Sequence, residues 1–506
     1  MAIFYVRPNQ SGNYGTGDGS SYANAWNGFE SVEWNRLDVP GTSSTLWVCG
    51  THLRRFAVSP ADYGGSAYVS ARRYDGLTIR GDYPGDPGVI DPRGLPYSYV
   101  NRPLTADEAG DLSRFMCGSN GSQQAFSVHL GTARNVTLTN LAIYVPGIPL
   151  ACTPENHPGC DRMDLFYGPR GGSAPCAASP YNGATIVYPI NIGVYSNSGS
   201  GNVRITACRI IGDKAYSRFG LGLQPFSANT SCSIDGNDIS GCLKGINMDA
   251  GSSRSGLAWF VNHNTIHDMG FSAGDNDYVD GMDIYGPFNT NGNYAEIVGN
   301  DISGVYQDGI DLFYASGVLV KNNYIHDFPL AFIKYMDNPP RWNADENLGD
   351  QNGIKFGGDG GYSDQNRIVD NVVANIYGVG ISNNSSGRNA TISGNVVVSN
   401  NASMGGTGIC CFGSGGGNTI SDNVVIGFKR AIRVETNSNR IVNNLLQSTP
   451  KLPVYVNGSR PQADLLIHGG VGQLVGGNRL LNNLLVVEGG GSMQVVMDAR
   501  EAVNLA

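Results

Sequence analysis

The chain has 506 residues, a formal net charge of −9, and only 15% charged residues. This balance excludes a nucleic-acid-binding surface, which needs basic patches to neutralise phosphates. No apolar run reaches the roughly 18 residues of a membrane-spanning helix, and ten cysteines are too sparse for a disulfide scaffold.

The start, Met1-Ala-Ile-Phe-Tyr-Val6, has neither a basic segment nor a long apolar one. A secretory signal is therefore expected to be absent or already removed, with an extracellular or virion location. A strand is expected from Phe4, then a Gly/Ser loop, a short helix over residues 22–33 and a strand over 45–48. Residues 1–65 together are expected to cap the end of a solenoid, whose open edge otherwise invites aggregation. From residue 66 to 230 come irregular early coils at Gly76-Leu-Thr-Ile-Arg80, Asn135-Val-Thr-Leu-Thr139 and Asn202-Val-Arg-Ile-Thr206, with long loops at about 91–125 and 147–187. Cys152 and Cys160 are placed to close a loop there, beside Cys176 and His157.

Regular repetition begins near residue 231. An Asn-x-(Ile/Val/Leu) element occurs at Asn237, Asn264, Asn300, Asn323, Asn371, Asn395, Asn423, Asn444 and Asn483. Intervals such as 264 − 237 = 27 and 423 − 395 = 28 give a period in the twenties. Short β-branched runs broken by Gly and Asn at that period predict a β solenoid, with 71 glycines serving its many turns. Each coil buries an Ile/Val column, and the asparagines stack into a ladder. This solenoid is expected to run over 66–490, with residues 491–506 as a last strand or cap.

Two tetrapeptides within the repeat carry the chemistry. Asp280-Gly-Met-Asp283 and Asp308-Gly-Ile-Asp311 lie 308 − 280 = 28 residues apart, and Asn352-Gly-Ile-Lys355 repeats the frame with lysine last. With coils about 4.8 Å apart, one exposed column reads Asn247, Asp283, Asp311, Lys355, Ser382, Cys410 and Arg433. The column three residues earlier reads Lys244, Asp280, Asp308, Asn352, Val379, Thr407 and Arg430. Clustered acids repel and raise one another's pKa unless a cation neutralises them. Bases further along suit a long anionic ligand, and Lys244 and Arg433 are candidate contacts. The loop 330–350 carries Lys334, Arg341 and Trp342, suited to clamping a carboxylate and stacking a sugar ring. His267 and His326, each in Ile-His-Asp, read as turn residues, and Cys410-Cys411 as one outward and one inward thiol.

The opening segments, the stretch Gly76–Asp91 with its Asp-Tyr-Pro-Gly-Asp-Pro-Gly run, and the Asn ladder resemble the pectate-lyase-like superfamily. That resemblance covers nearly the whole chain and implies a single-stranded right-handed parallel β-helix. A narrower resemblance, over about 280–358, is to polysaccharide lyase family 9. That family carries Asp-Gly on one coil, Asp-Asp-Gly-x-Asp on the next, and Asn-Gly-Phe-Lys-x-Gly-Gly further on. Here those read Asp280-Gly281, Gln307-Asp308-Gly309-Ile310-Asp311 and Asn352-Gly353-Ile354-Lys355-Phe356-Gly357-Gly358. The resemblance implies Asp280, Asp308 and Asp311 as Ca²⁺ ligands and Lys355 as the base. Gln307 departs from the pattern, offering a neutral oxygen where the family has an acid, and Asp283 is positioned to compensate one coil below Asp311.

The expected function is Ca²⁺-dependent cleavage of a uronic-acid-containing, anionic polysaccharide by β-elimination, on a chain that is monomeric and binds neither nucleic acid nor membrane. Two alternatives use the same fold. One is a glycoside hydrolase with paired aspartates; the other is a glycan-binding adhesin or phage tail spike, for which a trimer is expected.

Overall fold

The computed structural model of the chain describes residues 1–53, 56–57, 73–92, 123–130, 133–145, 189–196, 201–212, 220–225, 231–242, 244–249, 256, 258–269, 280–286, 294–329, 351–358, 363–384, 386–399, 406–428, 430–448, 463–467, 476–486, 495–497 and 502–505. Two compact units are present: Met1–Met248 with Asp268–Tyr278, and Asp249–His267 with Val279–Ala506. Each is a stretch of right-handed parallel β-helix, in which the chain visits three sheets in turn and the strand pairings among the described residues are parallel.

In the first unit one sheet runs in the order Trp26–Asn27, Ala2–Arg7, Ser44–Val48, Arg73–Arg80, Arg134–Thr139, Val203–Thr206 and Cys232–Asp235. The strands expected at Phe4, 45–48, Gly76, Asn135 and Asn202 are all among them. The helix expected over 22–33 is not formed. Instead Trp26–Asn27 pairs with Val6 and Arg7, a 3-10 turn covers Phe29–Ser31, and a single helical turn covers Trp34–Leu37. Gly28, at φ 81° and ψ 166°, breaks any helix there. Tertiary packing explains the outcome: Trp26 is buried and stacks on Phe4 at 5.1 Å.

The second unit contains the regular coils. Ile297, Val320, Ile368, Ile392, Ile420 and Ile441 form one buried column, and Met282, Ile310, Ile354, Ile381, Ile409 and Ile432 another. Alternation places these residues inside and their sequence neighbours outside. Each aliphatic side chain removed from water contributes about 1.5–3 kcal/mol, so every coil gains mainly by stacking on the next.

The asparagine ladder is continuous from Asn264 through Asn300, Asn323, Asn371, Asn395, Asn423 and Asn444 to Asn483. Each Oδ1 beyond the first accepts both the backbone N–H and the side-chain amide of the preceding rung, as Asn395 does from Asn371 at 2.9 and 3.0 Å. The preceding corner residue has positive φ, as at Asp370, Asp422 and Asn443. A second ladder, Asn418–Asn439–Asn478, follows the same rule at another corner. Its members fit the same Asn-x-(Ile/Leu) pattern, so the signal was present in the sequence. Two short strands, Val495–Met497 and Ala502–Leu505, lie in the segment expected to hold a last strand or cap. Among the described residues no helix is long and apolar enough to cross a membrane. The expected loops at about 91–125 and 147–187, with Cys152, His157, Cys160 and Cys176, lie almost wholly outside the described residues.

Candidate active site

Three paired strands of the second unit build the site: Met282–Tyr285, Asp308–Phe313 and Asn352–Gly357. Their register sets Asp283 beside Asp311, Asp311 beside Lys355, and Asp308 beside Asn352. The column then continues through Ser382 and Cys410 to Arg433. The glycine of each tetrapeptide does not make a turn; it permits close stacking. A Cβ on Gly309 would lie 2.6 Å from the carbonyl oxygen of Gly353, and one on Gly281 would lie 2.6 Å from that of Gly309.

Lys355 is the centre of the cluster. Its Nζ donates to Asp308 Oδ2 and to Asp311 Oδ2, each at 2.9 Å. Asp308 is fully buried, and Lys355 keeps only 11% side-chain exposure. The expectation of a lysine on an open column without core contact is therefore corrected: burial leaves its ammonium no better partner than the two carboxylates. Asp308 has a second task. Its Oδ1 accepts from the backbone N–H of Asn352 at 3.1 Å and from its Nδ2 at 2.7 Å, while the Asp308 N–H reaches Asp280 Oδ1 at 3.4 Å. Asp280, Asp308 and Asn352 thus form a short polar ladder of their own, donating in the opposite sense to the asparagine ladder.

The electrostatics follow from this crowding. Burial pulls the Lys355 pKa down, but attraction by Asp308 and Asp311, the hydrogen bond to Asp308 and attraction by Asp280 outweigh it and hold the amine above the ordinary lysine range. Asp311 moves up to about 7: burial is the chief cause, Lys355 opposes it, and Asp308 and Asp283 add to it. Three buried oxygens here have no hydrogen-bond partner: Gln307 Oε1, Asp311 Oδ1 and Asn352 Oδ1. Carboxylate and amide oxygens are the donors a hard cation takes, and a buried acceptor without a protein partner can be satisfied by a water or an ion. Among the described residues no three acidic, histidine or cysteine side chains converge closely enough to hold a metal as they stand. The Lys355 ammonium already bridges Asp308 and Asp311.

Of the other candidates, Arg433 lies three register steps beyond Lys355 and is paired with Glu435 through its Nε at 2.5 Å. Lys244 is buried and belongs to the first unit. Lys334, Arg341 and Trp342 lie outside the described residues. Cys410 and Cys411 are both buried free thiols; Cys410 keeps its expected place in the Lys355 column but is covered there. Burial pushes the Cys410 thiol up to about 12, which removes it as a nucleophile. His326 ends the strand Tyr324–His326 and bridges Asp301 and Asp327 at 3.0 and 2.8 Å.

Sequence reasoning missed an aromatic group on the same strands. Tyr285 follows Asp283 by two residues and Phe313 follows Asp311 by two, so alternation puts each ring on the face of its aspartate. Tyr285 and Phe313 lie 5.2 Å apart, and Tyr314 packs against both.

Residues 293–494, less than half of the chain, match the family described as periplasmic copper-binding protein (NosD). No curated protein sequence matches the chain. Among solved structures it is similar to a mutant of the periplasmic alginate epimerase AlgG, at 12% identity over 72% of this chain and 74% of that one, with a TM-score of 0.38. A GH136 lacto-N-biosidase from Eubacterium ramulus matches at 12% identity over 96% of this chain and 68% of that one, with a TM-score of 0.38. A mutant tailspike protein of E. coli bacteriophage HK620, in complex with a pentasaccharide, matches at 12% identity over 95% of this chain and 73% of that one, with a TM-score of 0.45.

Proposed function

We propose that the protein is a Ca²⁺-dependent polysaccharide lyase that cleaves a uronic-acid-containing glycan by β-elimination outside the cytoplasm. The observation that carries this reading is one lysine amine held between two aspartates, within a cluster of orphaned oxygens, on three stacked strands. Asp280, Asp283, Asp308 and Asp311, with Gln307 Oε1, would hold the cation. When bound, it supplies neutralisation of the substrate carboxylate, which acidifies the adjacent C5–H.

Lys355 is the proton acceptor in this reading. While its ammonium is paired with Asp308 and Asp311 it cannot accept a proton. Once those carboxylates are otherwise neutralised, what remains is burial, which favours the neutral amine. Lys355, having released its ammonium proton to solvent, would then take the C5 proton at Nζ; the C5–H pair forms the C4=C5 double bond, and the C4–O bond breaks with its electrons on the leaving oxygen, which takes a proton from water. The bond from Asn352 Nδ2 would keep the Asp308 carboxylate oriented beside the base.

The copper of the matched family's name is not carried over. Copper sites favour thiolate, thioether and imidazole donors, whereas this cluster offers carboxylate and amide oxygens. A second reading has one specific observation behind it: Asp311, raised to about 7 and with Oδ1 lacking a partner, is suited to donate a proton as the acid of a glycoside hydrolase.

The deciding experiment incubates the protein with pectate, alginate and glycosaminoglycans, with calcium and after exhaustive EDTA treatment. The expected result is a product absorbing as a conjugated 4,5-unsaturated uronate, lost with EDTA and restored by calcium. Cleavage without that chromophore selects the hydrolase, and cleavage that survives EDTA removes the lyase in this form.

A further inference from the structure

The aromatic group beside the acids has no part in the mechanism above and none in the core. Inward positions of the same strands are filled by Ile284, Leu312 and Phe356, all buried. Tyr285, Phe313 and Tyr314 stand outside that core, and Tyr285 is 37% exposed. We propose that these three rings form a stacking shelf for a sugar ring of the glycan, adjoining the Lys355 centre; this rests on the reading of that centre as a glycan site.

Position comes first. Phe313 is in register with Gly357, which follows Lys355 by two residues as Phe313 follows Asp311. The aromatic column therefore ends at a residue with no side chain, level with the lysine. Gly358 continues the gap: a Cβ there would meet Tyr314 Cε1 at 2.9 Å and Phe313 Cε2 at 3.2 Å. The rings lie against Gly358, whereas a Cβ on Gly357 would strike the Asn384 carbonyl, so backbone forms the floor beside the rings.

Shape comes second. Tyr285 and Tyr314 meet edge to face, at 5.4 Å and 80° between planes, and Phe313 and Tyr314 at 4.2 Å and 63°. Tyr314 is the one Tyr, Phe or Trp among the described residues with positive φ, at 57°. That conformation is unfavourable for a bulky side chain and is held by the ring packing around it.

The chemistry names the occupant. A pyranose offers C–H groups on one face and hydroxyls around its edge, matching an aromatic face flanked by polar groups. The acids and lysine lie two residues along the same strands, so a chain whose uronate sits at Lys355 brings a neighbouring ring to the shelf.

The test uses the full chain and the variants Tyr285→Ala, Phe313→Ala and Tyr285→Trp. Native gels containing pectate, alginate or chondroitin sulfate read binding with calcium and with EDTA. KM is measured on any glycan that wild type cleaves, and the thermal midpoint is measured for each variant. Both alanine variants are expected to weaken retardation and raise KM by about tenfold, a change of about 1.4 kcal/mol. Tyr285→Trp should stay close to wild type, and the Tyr285→Ala midpoint should fall less than that of Phe313→Ala, because the Tyr285 ring is the more exposed. Retardation and KM within twofold of wild type in both alanine variants overturn the shelf. So does a wild type retarded by none of these glycans, since a uronate chain is the stated occupant. Turnover by wild type reads the lyase separately: retardation without turnover leaves the shelf standing and removes the enzyme.

Discussion

At the residue scale, Lys355 is the cation of the site and, in the proposed reaction, its base. Its ammonium neutralises Asp308 and Asp311, so the protein folds with a self-supplied counterion. A divalent cation seeking the same oxygens must displace it. Lys355→Met keeps the stem and deletes the charge, which leaves buried carboxylates uncompensated. In calcium-free buffer the variant should lose about 3–5 kcal/mol of stability. Calcium should restore much of that loss, and calorimetric titration should find binding at least about tenfold tighter than wild type. Equal calcium affinity in the two proteins would show that lysine and cation do not share oxygens. Asp308→Asn separates the two duties of that residue. The amide oxygen can still accept from Asn352, so the urea midpoint should fall less than in Asp308→Ala, whereas calcium binding should be lost in both. If the Asn variant is as unstable as the Ala variant, the charge and not the ladder holds the coils there.

At the element scale, an Asp-Gly pair is ordinarily read as a turn, yet here it lies in or at the edge of a strand. The sequence signal that separates the cases is recurrence in register: Gly281, Gly309, Gly353, Gly380 and Gly408 all precede an inward residue, and each Cβ would strike a carbonyl of the next coil. Gly309→Ala should therefore force the strands Asp308–Phe313 and Asn352–Gly357 apart. The expected cost is about 1–3 kcal/mol, with loss of activity although no charged group is touched. Urea unfolding and turnover check it, and an active variant of unchanged midpoint would mean that the coils give way freely. The helix expected over 22–33 fails to form for the converse reason. Local propensity allows it, but Trp26 is claimed by Phe4 and by the sheet edge. The aromatic group is not legible in the sequence, because aromatic residues are ordinary strand formers and nothing local marks Tyr285 and Phe313 as outward.

At the scale of the whole molecule, period and alternation made the solenoid legible, because every coil solves the same burial problem in the same way. Lys355 could be placed in its column but not seen to be buried, since burial depends on what packs over a strand and the repeat says nothing of that. The same one-dimensional logic supplies a test. In a stacked fold each coil meets chiefly its neighbours, so damage should stay local. Asn395 is the case to use: its Oδ1 accepts from the Asn371 N–H and Nδ2, and its Nδ2 donates to the Ile368 carbonyl and to Asn423 Oδ1. Asn395→Ala strands these groups in the interior, at about 1–3 kcal/mol for each one left unsatisfied. Hydrogen exchange followed by mass spectrometry should show lost protection in Arg367–Val369, Thr391–Ser393 and Thr419–Ser421, which flank the lost rung in one sheet. Ala2–Arg7 and Ser44–Val48 should exchange as in wild type. Acceleration spread evenly over all these strands would mean that the chain opens as one cooperative body, and the nearest-neighbour account of its stability would have to be given up.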